Sequence, residues 1–259
     1  MRDKQMIGVE QHELILKYIN RFGWLTSRMI KKLVYDDSSQ GLALARRALV
    51  KMIDNKLVIK RGLPNGGEAY LLGTKGAAFL RSLNINIDAQ SGARLKLGNP
   101  VHRACSNWFL IDELVDNKSS IWTEFEIQNG TCPIHQIFGK IPDGLIRSDS
   151  EVEWVEVENS WKNRMERERI VRFCADMLGC ENYQPLSSDF YLVKMIIVCS
   201  NKESSNYLVR SFIEAFEAGV ITEAVLSEVE IVFAEVSSNL MPPTSMIRAN
   251  LWYDLIQRV

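Results

Sequence analysis

Apolar side chains recur at helical spacing through residues 9–22 (VEQHELILKYINRF), and Gly23 ends the run. Thr26 offers its hydroxyl as the N-cap of a second, short helix through SRMIKKLV. The segment DDSSQ reads as the turn and cap before a third helix over about residues 40–55. Two short apolar runs, 57–62 and 68–73, flank LPNGG, whose Asn and Gly supply the positive φ angles of a tight hairpin turn. A further helix, TKGAAFLRSL, follows.

Three helices and then a hairpin are the element order of a winged helix, a helix-turn-helix variant. Its recognition helix would be residues 40–55. Stepping 100° per residue from Leu49 places Leu42, Ala45, Leu49, Met52 and Ile53 on the buried face. Gln40, Leu44, Arg47, Lys51 and Asp54 fall on the opposite face, with Arg46 on its flank. Gln, Arg and Lys suit base edges and phosphates, and Lys60 and Arg61 at the hairpin would grip the DNA backbone. The plainer reading is a winged helix or helical bundle that contacts another protein through ordinary basic surface.

Residues 84–98 have weak periodicity and read as a connection, with domain bounds of 1–88, a linker at 89–98, and 99–259. An amphipathic helix, VHRACSNWFLIDELVD, opens the second part. Strands are expected at about 121–127, 137–147 and 152–158, a charged helix at 161–178, and an apolar strand at 190–200. A helix near 204–218, an apolar run at 229–236 and the closing WYDLIQRV complete the chain. The fold class expected is α/β (α+β), with a mixed sheet in the second domain.

Charge sharpens this division. The 259 residues carry a net charge of -1, yet residues 1–98 hold 17 Lys and Arg against 8 Asp and Glu, and the remainder 14 against 24. A basic half attracts phosphate and an acidic half attracts cations. The five cysteines include no CxxC pair, so reduced core residues are expected rather than a zinc site. No apolar run reaches the length of a membrane span and the N-terminus lacks a signal-like apolar region, which predicts a cytoplasmic protein without membrane partners.

The candidate chemistry lies in IPDGLIRSDSEVEWVEVENSWKNR. Asp143 is expected in one strand, and Glu156 and Glu158 share a face of the next, because strand side chains alternate. A hairpin joining these strands would bring the three carboxylates together. Crowded carboxylates repel unless a cation intervenes, and hard oxygen donors suit Mg²⁺ or Mn²⁺. Alternating Glu and Val is equally the pattern of a half-solvated sheet. Glu113 is a further candidate ligand, His102 a candidate substrate or metal contact, and Arg164, Arg167 and Arg169 candidate phosphate contacts. Glu124 and Glu126 read as surface acids of a strand, and Trp154 and Trp161 as packing residues.

Pro142-Asp143 followed by Glu156-x-Glu158, in a helix, three strands, helix, strand frame, resembles the PD-(D/E)XK nuclease superfamily. That pattern usually ends in Lys two positions after the acid. Glu158 stands there instead, and Lys162 is the candidate replacement. The chain is also similar to replication-relaxation proteins of mobile elements and to MobC-type plasmid relaxases, through the winged helix, the YLLGTKGAAFL segment, His102, the P-D strand and the E-x-E strand. The resemblance implies a metal-dependent endonuclease or nickase. Asp143, Glu156 and Glu158 would hold Mg²⁺ or Mn²⁺, and Lys162 would stabilise phosphate charge. It further implies DNA, other mobile-element proteins and a second copy of the chain as partners. The alternatives are a DNA-binding regulator whose nuclease fold is inactive, and a transposon-end endonuclease.

Overall fold

The computed structural model describes residues 4–36, 38–64, 66–134, 138–160, 162–179, 184–236 and 240–256. The chain divides into two units, Met1–Pro100 with Ser238–Pro242, and Val101–Ser237 with Pro243–Val259.

The first unit begins with α1 (Lys4–Phe22), β1 (Trp24–Leu25) and α2 (Ser27–Val34). Thr26 caps α2 as expected, accepting from the Met29 N–H at 3.3 Å. Next come α3 (Gly41–Asp54), the hairpin strands β2 (Val58–Gly62) and β3 (Glu68–Leu72), and α4 (Thr74–Ser82). Strand β3 lies at the centre of a three-stranded antiparallel sheet between β1 and β2. The two-residue β1 is too short to show a period in the sequence. In the hairpin loop the Leu63 N–H donates to Gly67 at 2.8 Å and Gly66 takes a φ of 82°. Asn65 of that turn lies outside the described residues.

The stretch expected as a linker is docked onto this first unit. Arg61 donates to the carbonyls of Ala93 and Leu95, Arg81 to that of Ala89, and the Ser91 hydroxyl to Leu72 at 3.3 Å. Ala89 is buried, and a Cβ at Gly92 would come within 2.8 Å of the Leu71 side chain. The weak periodicity of 84–98 reflects a segment held by side-chain bonds to backbone carbonyls rather than by an apolar stripe.

The second unit carries a seven-stranded mixed sheet among the described residues. Helix α5 (Pro100–Val115) precedes β4 (Ser120–Thr123), α6 (Glu124–Gln128), β5 (Gly144–Ser148) and β6 (Glu151–Glu158). Then follow α7 (Arg164–Leu178), β7 (Gln184–Pro185), β8 (Tyr191–Cys199), α8 (Lys202–Glu217), α9 (Glu223–Ser227), β9 (Val229–Ala234) and β10 (Met246–Asn250). A turn of π-helix, Leu251–Ile256, follows β10. Strands run in the order β10-β9-β8-β6-β5-β4, with β7 on β8. Strands β4 and β6 each run antiparallel to β5 between them, whereas β6, β8 and β9 are parallel. Helix α7 makes the β6-to-β8 crossover that a parallel pair requires. Its Ile170, Val171, Cys174 and Met177 pack with Trp154, Met195 and Phe212 into the core on one face of the sheet.

Two strand expectations are also corrected by the structure. Residues 121–127 are not one strand: the chain turns into α6 at Glu124. Thr123 and Glu126 form a capping box, Thr123 accepting from the Glu126 N–H at 3.1 Å and Glu126 from the Thr123 N–H at 2.9 Å. Asp143 does not lie within a strand but immediately before β5. No helix among the described residues is long and apolar enough to cross a membrane. Cys105, Cys132, Cys174 and Cys199 are free and buried, and Cys180 lies outside the described residues.

Candidate functional site

The β5–β6 hairpin turns at Asp149, whose φ is 52°, and its ladder closes with Gly144 opposite Val155. Gly144 permits α5 to lie close, since a Cβ there would meet Leu110 at 2.6 Å. One residue earlier the ladder gives way to side-chain bonding. The Asp143 N–H donates to Val155 at 3.0 Å, its carbonyl accepts from Ser106 at 2.8 Å, and Asp143 Oδ2 accepts from the Val157 N–H at 2.8 Å. Asp143 Oδ1 faces His102 Nε2 of α5 at 2.7 Å, and His102 Nδ1 lies 3.4 Å from Asn159 Oδ1. Asp143 is thereby fixed from two elements.

Glu156 and Glu158 are buried on β6, at 6% and 7% exposure, rather than on a solvated face. Glu156 accepts from Trp154 Nε1 at 2.6 Å and pairs with Lys140 Nζ at 2.8 Å. Glu158 pairs with Lys162 Nζ at 2.9 Å. Trp154 is therefore both a packing residue, edge-on to Phe173 at 5.4 Å, and the donor that orients Glu156. Glu124 joins this electrostatic neighbourhood through Arg103, 3.0 Å away, and is half-buried rather than a surface strand acid.

Burial governs the proton affinities. It pushes the Glu156 carboxyl up to about 7 despite Lys140, and nearby Asp143 adds to the rise. Burial also raises Glu158 against the pull of Lys162, and Glu124 against that of Arg103. For His102 burial works downward, but the hydrogen bond and charge of Asp143 outweigh it and the net direction is up. Such opposed pressures on neighbouring acids and bases are characteristic of functional clefts, although ion-pair networks also produce them.

Positive charge beside Glu156 and Glu158 thus comes from the chain itself, through Lys140 and Lys162. The oxygen donors are of the type that Mg²⁺ and Mn²⁺ take, so the residue types fit such an ion. Among the described residues no three His, Cys, Asp or Glu side chains form a group that could hold one. Lys140 and Lys162, with side chains 39% and 30% exposed, would have to leave Glu156 and Glu158 for a metal to enter.

Lys140 is the member that the sequence did not announce. It is the lone Lys or Arg between Lys118 and Arg147, three residues before Asp143, and that isolation was the available signal. Lys162 lies just before α7, whose N-cap is Asn163, not at the start of the helix. Other candidates are engaged elsewhere. Glu113 is 4% exposed and bound by Asn117, Ser119 and Arg248, so it neither joins the acids nor faces solvent. Arg164 pairs with Glu168, and Arg167 donates to the Lys162 carbonyl at 2.5 Å and to Ser211 at 3.1 Å. Arg169 is exposed on α7, and Trp161 lies outside the described residues.

In the first unit, Gln40, Arg46, Arg47 and Lys51 are exposed along α3, as is Asp54. The buried face holds Ala45, Ala48, Leu49 and Met52, with Leu42 and Ile53 half-buried. Lys60 pairs with Glu68 at 2.7 Å, and Arg61 is committed to the 89–95 segment. Arg61 is therefore a structural clamp rather than a free hairpin cation. Comparison with protein-family models and with curated proteins returns no match.

Proposed function

We propose that the chain is a DNA-processing protein whose first unit is a winged helix that binds duplex DNA and whose second unit is a restriction-endonuclease-like nuclease that cuts it. The observation that carries the reading is the β5–β6 hairpin, with Asp143 just before β5, Glu156 and Glu158 buried on β6, and Lys140 and Lys162 paired with these two glutamates. The order α5, three antiparallel strands, α7 and a parallel strand supports it, being the frame in which the resembled superfamily carries its acids. The order α1, α2, α3 and hairpin supports the winged helix in the same way. The replication-relaxation and MobC-type likeness makes a nickase of a mobile element the specific form proposed.

In this reading Asp143, Glu156 and Glu158 would hold Mg²⁺ or Mn²⁺, which when bound supplies charge stabilisation at the phosphate and a more acidic water. His102 and the Val157 N–H hold the Asp143 carboxylate in place. Lys140 and Lys162, partly exposed, present positive charge where phosphate oxygens gain negative charge. Trp154 fixes Glu156 and keeps its inner side dry.

The reading is tested with supercoiled plasmid and purified chain in Mg²⁺, in Mn²⁺ and in EDTA. Conversion to open-circular or linear DNA with either metal, and none in EDTA, is expected. A second reading, a DNA-binding regulator on an inactive nuclease fold, is favoured by Glu158 in the lysine position and by the pairing of Glu156 and Glu158 with lysines of the chain itself. Plasmid binding without cleavage under any metal would select it.

A further inference from the structure

Helix α3 carries an apolar residue in the middle of its polar outer face. Val50 is 58% exposed, with Arg46 and Arg47 one turn before it and Lys51 beside it. It also lines a cleft of about 470 Å³ in the first unit, together with Thr26, Arg28, Arg46, Lys60 and Leu240. Glu68 lines the same cleft, but its carboxylate is taken by Lys60 at 2.7 Å and Tyr70 at 2.8 Å. The charge left on this face is therefore mainly positive.

We infer that Val50 reads the 5-methyl group of a thymine in the major groove of duplex DNA. The inference rests on the DNA-binding reading above and assigns it a base. A basic face selects a polyanion, and the DNA major groove is wide enough to admit a helix. The one apolar substituent on its base edges is the thymine methyl. A β-branched side chain on a helix has essentially one χ1 rotamer, so the Val50 methyls are held outward before any partner arrives. Arg46 and Arg47 are spaced to meet phosphates or purine edges on either side of that contact.

The test uses the full chain. Binding sites are selected from a randomised duplex pool, and each thymine of the selected site is then replaced singly by deoxyuridine. One position should lose about three- to fivefold in affinity, the value of one buried methyl group. Val50→Ala, an exposed substitution that leaves the core untouched, should bind the thymine and uracil forms of that position equally. A chain that selects duplexes but shows no uracil-sensitive position, or the same sensitivity in Val50→Ala, overturns the Val50 assignment alone. A chain that binds no duplex even at low salt overturns the DNA-binding reading and this inference with it.

Discussion

Replacing Glu156 by Gln should stabilise the chain above neutral pH and leave it nearly unchanged in acid. Glu156 is 6% exposed and titrates near 7, whereas an ordinary glutamate titrates near 4.5. Below about 4.5 the carboxyl is protonated in both the folded and unfolded chain. Between about 4.5 and 7 the unfolded chain releases this proton first, so folding stability falls as pH rises, and the loss is complete above about 7. At about 1.4 kcal/mol per pH unit, the full difference is worth roughly 3 kcal/mol. Gln keeps an oxygen for Trp154 Nε1 but deprives Lys140 of its acceptor. Lys140 is 39% exposed and can turn to water, so that loss is on the order of 1 kcal/mol. That loss is already contained in the titration near 7, so a net gain of about 3 kcal/mol at pH 9 follows, and none at pH 4. Urea unfolding of parent and variant in EDTA, across pH 4 to 9, measures it. An equal change in stability at every pH would refute the assignment of the raised titration to Glu156.

Two further outcomes follow from named contacts. Arg61→Met removes the donors to the Ala93 and Leu95 carbonyls; it should cost about 1.5–3 kcal/mol and speed tryptic cleavage at Arg94 and Lys96, with unchanged proteolysis counting against docking of that segment. Lys140→Met should slow plasmid cleavage on the order of 10²-fold with DNA affinity unchanged, and cleavage at the parental rate would remove Lys140 from the proposed phosphate contacts.

Local signals carried much of this fold and failed where distant groups decide. The Thr26 cap, the exposed face of α3 and the alternation in β6 were each readable within one element. Residues 121–127 misled because alternation outweighed the Thr123-x-x-Glu126 capping box, which ends β4 and starts α6. Asp143 was legible as a candidate acid, but its bond to His102, 41 residues away in sequence, was not. The pairing of Lys140 with Glu156 and the docking of 89–95 by Arg61 depend on contacts made only after folding. The burial of Glu156 and Glu158 was likewise hidden, since α7 and the long parallel strand β8 pack around a strand that alternation alone would leave half-solvated.

The central claim is that DNA binding and DNA cutting reside in different residues of this chain, with Asp143 required only for the second. Its most direct measurement is the affinity and the cleavage rate of one supercoiled plasmid with parent chain and with Asp143→Ala, both in Mn²⁺. The variant should bind with parental affinity, an affinity that falls steeply with added salt as counterions are released, and should leave the plasmid supercoiled. Cleavage by Asp143→Ala at the parental rate, or an equal loss of binding and cleavage, would contradict the account.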